Sequence, residues 1–207
     1  MLGIEVVRVL SIVFLAGLNV AFVMLVFFSR ERRDLGSVKS FNQSNFTLLY
    51  HVWHILIFQF PLVFFLVSVV MPNWVYGTIL NLSFQGVEYL QVFSLPLFLV
   101  GVVLSGWSER VLGQFMTTQI QVVQKHELVT RGPYSRIRHP TYTSVILMAI
   151  ASTILFLNLI MFIAFLAIFA IAHKRAVLEE GLLASEEGFG QDYRNYMKKT
   201  GRFLPRL

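Results

Sequence analysis

Residues 143–172 read T-S-V-I-L-M-A-I-A-S-T-I-L-F-L-N-L-I-M-F-I-A-F-L-A-I-F-A-I-A, a run with no charge and one central polar residue, Asn158. Built as a single helix, the run would be about 45 Å long, well beyond the ~30 Å hydrocarbon core of a bilayer. It would also carry the basic C-terminus away from the basic segment that precedes it. Built as two helices turning at Asn158, it returns the chain to the side it came from. Lysine and arginine decide between the two. Four lie in 30–40, five in 108–142 and seven in 173–207, while 71–88 and the Asn158 turn hold none. Only the hairpin gathers these on one face, leaving Arg8 near the outer end of the first span. Basic residues concentrate on the cytoplasmic side of membrane proteins.

The bulk composition agrees. Of 207 residues, 56% are hydrophobic, 20 are Phe and only 14% are charged, against about 25% charged in an average soluble protein. A core of this size cannot hide that much apolar surface, so it belongs in lipid. The absence of Cys excludes disulfides and thiolate metal sites. The net charge of +6 follows from the cytoplasmic bias. Membrane lipids, and no nucleic acid, are therefore the expected surroundings.

Val6–Phe28 is a first span, too long for a signal-peptide core and lacking a small-residue cleavage site. Arg30–Lys39 is a charged linker and Phe41–Asn45 a polar turn. A second span covers Leu48–Val70, with a kink expected at Pro61. His51 and His54 share a helix face there. Two histidines without a third ligand are a weak metal signal, so a polar pair is the expected reading and no metal is expected. Trp74, Tyr76 and Tyr89 suit a membrane–water boundary. A third span covers Tyr89–Trp107, and Ser108–Thr141 is polar. Within it, Gln119–Gln124 partly alternates polar and apolar residues, as a short extended piece would. His173–Glu187 continues the last arm, Gly188–Gly190 interrupts it, and Tyr193, Tyr196 and Met197 recur at helical spacing.

The expectation is thus an all-α integral membrane protein of about five transmembrane segments. The last two form a hairpin, the N-terminus is outside, and a polar loop and C-terminal helix are cytoplasmic. Residues 1–207 make one domain, with three spans in 1–107 and a catalytic region in 108–207.

The hairpin brings two polar segments together, since Tyr142 and His173 stand at the feet of adjacent arms. His126–Tyr142 reads H-E-L-V-T-R-G-P-Y-S-R-I-R-H-P-T-Y. Gly132-Pro133 makes a tight turn, and Pro140 opens a helix whose free N–H groups favour an anion. A cluster of Arg136, Arg138 and His139 serves topology or a site equally well. The prolines and tyrosines at fixed offsets favour the site, because topology does not need them. Arg175 and Glu179 stand four apart. They form either a helix salt bridge, or a carboxylate for hydroxyl or amine donors beside an arginine for an anionic substrate.

At these residues the chain resembles the isoprenylcysteine carboxyl methyltransferase family and its phospholipid-methyltransferase relatives. The resemblance rests on His126-Glu127-Leu128-Val129-Thr130, Gly132-Pro133-Tyr134 and Arg138-His139-Pro140-Thr141-Tyr142. It continues, after the uncharged hairpin, with Arg175, Glu179-Glu180, Leu183, Phe189-Gly190, Tyr193, Tyr196 and Leu204-Pro205. It covers roughly the last ninety residues, and Ser185–Gly188 makes the approach to Phe189 two residues longer than the family pattern. The resemblance implies a membrane enzyme using S-adenosylmethionine. Cofactor contacts then fall on Gln119, His126, Glu127, Leu128, Val129, Tyr134, His139, Pro140, Thr141, Tyr142 and Glu179, and the substrate arginine on Arg175. Tyrosine faces can stabilise a sulfonium cation. A substrate carboxylate, already ionised at neutral pH, attacks the methyl group without a base, whereas an amine or thiol acceptor needs one and none is evident.

The function expected is methyl transfer from S-adenosylmethionine to a lipophilic small-molecule or prenylated acceptor, with the carboxylate of an isoprenylcysteine-like substrate preferred. A phospholipid amine or a thiol is the alternative acceptor. Two rivals are a sterol-reductase-like membrane enzyme, which would bind NADPH, and a membrane accessory or transport protein with a vestigial site. The latter would tolerate His139→Ala and Glu179→Ala.

Overall fold

A computed structural model describes residues 1–29, 38–40, 44–115, 121–123 and 127–206. Gln119 and His126 lie outside the described residues, as do 41–43 of the expected turn. Helix α1 is Ile4–Ser29. Helix α2, Ser44–His54, runs through a π turn at Ile55–Gln59 into α3, Phe60–Val70. Pro61 explains the π turn. It offers no N–H to the carbonyl four residues back and its ring crowds that carbonyl, so the ladder widens just before it. A short helix α4, Pro72–Val75, follows, then α5, Val87–Leu112, which extends five residues past Trp107 into the segment expected to be polar loop. Helices α6, Pro140–Phe156, and α7, Leu159–Leu183, form the hairpin, and α8, Gly190–Lys199, precedes the C-terminal tail.

Four stretches are long and apolar enough to cross a membrane: Ile4–Phe27, Leu48–Val70, Val87–Leu112 and Leu159–Leu183. Helix α6 is apolar but shorter, at 17 residues. The expected extended piece is found at Gln121–Val123, strand β2, which pairs antiparallel with a strand β1 at Val38–Ser40. The charged linker was not expected to supply that partner. Apart from this ribbon, the described residues are helical or in turns and loops.

The hairpin turns at the position the sequence dictates. Leu157 adopts a left-handed conformation (φ 46°) and Asn158 caps α7, its Oδ1 accepting the Ile160 N–H at 2.9 Å. The Asn158 amide donates to the Val75 carbonyl (3.1 Å) and Asn81 to the Phe156 carbonyl (2.8 Å). Two backbone bonds, Leu82 to Leu157 and Leu159 to Leu80, fasten the 71–88 loop to the turn. Trp74 and Tyr89 are exposed, as residues at a membrane boundary would be. Tyr76 is not. It is buried, with its hydroxyl donating to the Leu2 carbonyl at 2.8 Å, and its amphipathic ring serves an internal network that includes buried Gln91.

Two apolar clusters fill the bundle. The first joins Phe14, Phe65, Phe98 and Phe156, with the Phe14 and Phe98 rings stacked at 4.0 Å. The second joins Trp53, Ile146, Ile168 and Ala172 nearer the polar segments. Helices α5 and α6 approach closely at Gly101, where a Cβ would lie 3.1 Å from the Ser144 carbonyl oxygen. Small residues permit such contact between membrane helices, where packing rather than exclusion from water drives association. Valines, leucines and phenylalanines of α1, α3, α5 and α7 remain exposed around the outside, a surface suited to lipid.

Candidate active site

The polar end is organised by Glu180. Its buried carboxylate receives Arg138 Nε (2.8 Å), Arg202 Nη2 (2.7 Å) and lies 3.2 Å from His139 Nε2. Arg138 also donates to the carbonyls of Met197 and Thr200. The tail runs beside the loop before α6: Arg138 N–H bonds the Gly201 carbonyl (2.8 Å) and His139 N–H the Arg202 carbonyl (3.1 Å). Thr143 Oγ1 on α6 donates to the Phe203 carbonyl at 2.9 Å. One carboxylate therefore fixes the loop, α7 and the tail to one another. The pairing with Glu180 holds the Arg202 guanidinium above its usual pKa.

Around this hub lies a polar pocket of about 650 Å³ including its opening, lined by Glu127, Leu128, Val129, Tyr134, His139, Glu179, Phe189, Tyr193 and Tyr196. Tyr134 sits in the one-turn helix Gly132–Ser135, which Gly132 enters at φ +60°. A Cβ on Gly132 would lie 2.9 Å from Val111, so the turn rests directly on α5. Tyr196 of α8 donates to the Tyr134 carbonyl at 2.5 Å. Burial drives the phenols of Tyr134 and Tyr193 far above their ordinary range and pushes Tyr196 up to about 12. All three present neutral rings and hydroxyls at physiological pH.

A second cavity lies within the helices. It encloses about 1020 Å³ including its opening and is lined mainly by apolar side chains of α1, the α2–α3 helix, α6 and α7. Its polar lining includes Arg175, Tyr142, Thr141, Ser105 and Glu109. Arg175 is only 3% exposed. Its guanidinium lies over Trp53 at 5.5 Å, and Nε donates to the Tyr142 hydroxyl at 3.4 Å. The Tyr142 hydroxyl in turn donates to Glu179 Oε2 at 3.0 Å. Thus Arg175, on the apolar cavity, connects through Tyr142 to Glu179, on the polar pocket.

Of the residues singled out in the sequence, Glu127, Leu128, Val129, Tyr134, His139 and Glu179 meet in the polar pocket. Thr141, Tyr142 and Arg175 line the apolar one, and Pro140 opens α6 between them. Both ring nitrogens of His139 face carboxylates, Glu180 at 3.2 Å and Glu179 at 3.6 Å. The ring is therefore engaged with two carboxylates of α7. The sequence reading missed Trp53, Glu109 and the clamp formed by Arg138, Glu180 and Arg202. Glu109 carried one available signal, a carboxylate at the C-terminal end of an apolar span; the others had none outside the tertiary fold. Among the described residues, no group of three or more His, Asp and Glu could hold a metal ion.

Residues 94–185 match the model of the isoprenylcysteine carboxyl methyltransferase (ICMT) family. The chain is 27% identical over 120 residues to a probable protein-S-isoprenylcysteine O-methyltransferase of Oryza sativa subsp. japonica, covering 56% of this chain and 62% of that one. It is 29% identical over 141 residues to a protein-S-isoprenylcysteine O-methyltransferase of Tribolium castaneum, covering 65% of this chain and 50% of that one. The matches thus span half to three-fifths of the curated relatives' length. A solved structure of the eukaryotic intramembrane Ras methyltransferase ICMT shares the fold, with a TM-score of 0.53 and 24% identity over 80% of this chain and 54% of that one. The chain is thus similar over residues 94–185 to the isoprenylcysteine carboxyl methyltransferase family, and its helices share the fold of a solved structure of that name.

Proposed function

We propose that the chain is one membrane-embedded methyltransferase domain that moves a methyl group from S-adenosylmethionine to the carboxylate of an isoprenylcysteine-like lipophilic acceptor. One observation carries this reading: an apolar cavity inside the helices has a buried arginine in its wall, one tyrosine away from a residue lining a separate polar pocket. A lipid tail suits the first space and a polar nucleoside cofactor the second. In this reading α6 is a fifth membrane segment, the N-terminus is outside, and both pockets open toward the cytoplasm.

The polar pocket fits S-adenosylmethionine by its chemistry. Glu179 offers a carboxylate to ribose hydroxyls or to the amine, the neutral tyrosines offer faces to a sulfonium cation, and Leu128, Val129, Leu182 and Leu183 offer an apolar wall to an aromatic base. The cofactor supplies an activated methyl group, whose bonding electrons return to sulfur on transfer. The protein's part is orientation, which can contribute several powers of ten in rate. Arg175 can hold the acceptor carboxylate by two parallel hydrogen bonds, and Trp53 and Tyr142 keep its guanidinium in place.

The test is methyl transfer by purified protein with labelled S-adenosylmethionine, screening prenylated cysteine acids, phospholipid amines and apolar thiols. Labelled methyl ester on the acids is expected. Failure to bind S-adenosylmethionine in calorimetry, or preferential binding of NADPH, refutes the reading. Arg175→Ala should abolish methylation of the acids while leaving cofactor affinity within about threefold. Equal loss of both would mean that Arg175 serves the cofactor pocket instead.

A further inference from the structure

The C-terminal tail carries cations that neither pocket uses. Its Phe203 packs against Phe169 (6.2 Å between ring centres) and His173 (6.4 Å) of α7. Phe169 (43% exposed), Leu166 (48%) and Phe162 (46%) stand three or four residues apart, so they form one apolar ridge on the outside of α7. The uncharged run ends at Ala172, and exposed His173 and Lys174 follow it. The tail therefore meets α7 where this outer ridge gives way to the polar end of the bundle.

Exposed cations gather along the tail. Lys198 and Lys199 close α8, and Arg206 Nη1 donates to the Lys198 carbonyl at 2.7 Å, which holds the end of the tail against the last turn of α8. Arg202 reaches His173, its Nη1 lying 2.9 Å from Nε2. Glu180 neutralises Arg138 and Arg202. Lys174, Lys198, Lys199 and Arg206 are exposed and make no ion pair with any described residue. Membrane topology needs these charges on one side only; it does not need them at the end of an apolar ridge, beside an exposed Leu204.

The geometry points to a binding site for an anionic phospholipid at this corner. The headgroup phosphate is held among Lys174, Lys198, Lys199 and Arg206, and an acyl chain lies along Phe169, Leu166 and Phe162. Charge complementarity names the occupant. A zwitterionic headgroup brings its own cation to four uncompensated ones, and a soluble anion leaves the ridge uncovered. Basic clusters at the foot of membrane helices draw anionic headgroups, about fivefold in affinity for each Lys or Arg. None of these side chains lines either pocket, so the site stands or falls apart from methyl transfer.

The experiment titrates the detergent-purified full chain with dioleoylphosphatidylglycerol, the matching phosphatidylcholine, and glycerol phosphate as the free headgroup, reading the melting midpoint. Phosphatidylglycerol should raise the midpoint saturably and well beyond phosphatidylcholine, and glycerol phosphate should not raise it. Combining Lys174→Gln, Lys198→Gln and Lys199→Gln should weaken phosphatidylglycerol on the order of 100-fold, while leaving the lipid-free midpoint unchanged. Salt near 1 M, which screens charges beyond about 3 Å, should weaken binding to the wild-type protein, a result that does not depend on the variant folding. Equal stabilisation by the two phospholipids overturns the site. So does full affinity in the triple variant or at high salt, or glycerol phosphate matching the lipid. Each of these leaves carboxyl methylation standing.

Discussion

Replacing Glu180 by glutamine tests whether one buried carboxylate holds the polar end together. The side chain keeps its shape, but its charge is removed from a position only 4% exposed. Arg138 at 2.8 Å and Arg202 at 2.7 Å then lose their anion. Breaking a buried ion pair by removing one partner costs about 3–5 kcal/mol. Arg202 is 30% exposed, so water recovers part of this, and the lower end, about 3 kcal/mol, is expected. For a chain of this size that corresponds to a fall of roughly 6–12 °C in the melting midpoint. The assay is thermal unfolding of purified protein, followed by tryptophan fluorescence, with and without S-adenosylmethionine. Cofactor protection should also shrink, since Arg138 and His139 line the polar pocket and both contact Glu180. Glu179→Gln is the control. Its carboxylate is 32% exposed, and its removal should lower the midpoint by no more than about 4 °C while weakening cofactor binding. A Glu180→Gln protein melting within about 2 °C of wild type, or melting above Glu179→Gln, would refute the reasoning.

Two further predictions concern the scaffold. Asn158→Ala removes the α7 cap and the bond to Val75, so it should lower stability by about 1–2 kcal/mol. Asn19→Ala, which loses only a bond to its own helix on an exposed face, should leave the midpoint nearly unchanged in the same melt. Gly101→Leu should force α5 and α6 apart, because even a Cβ there lies 3.1 Å from the Ser144 carbonyl oxygen and 3.3 Å from the Met148 nitrogen. A loss of about 1–3 kcal/mol is expected, read as a lower melting midpoint and a broader size-exclusion peak.

The helices and their order were legible in the sequence because they depend on quantities that add along the chain. A membrane span is a length of apolar residues, and hairpin against single helix is decided by length and by where lysine and arginine fall. Asn158 marked the turn because a short amide can cap the next helix. The stretch 126–142 was legible as a candidate site because proline, glycine and tyrosine stood at fixed offsets, whereas 175–196 joined it only through the family resemblance. Tyr76 was misread because its ring suits a boundary and a buried hydrogen bond equally well. What each site residue touches was decided only by the tertiary structure. Glu179 and Glu180 are neighbours in sequence, yet one lines a pocket and the other locks two arginines, because successive residues of a helix point about 100° apart. Trp53 meets Arg175, Glu109 shares its cavity, and Arg202 reaches Glu180 only after the helices have packed. Hydrophobic length and charge sign survive in one dimension; hydrogen bonds and buried charges do not, since their energy depends on ångström-scale geometry between segments far apart in the chain.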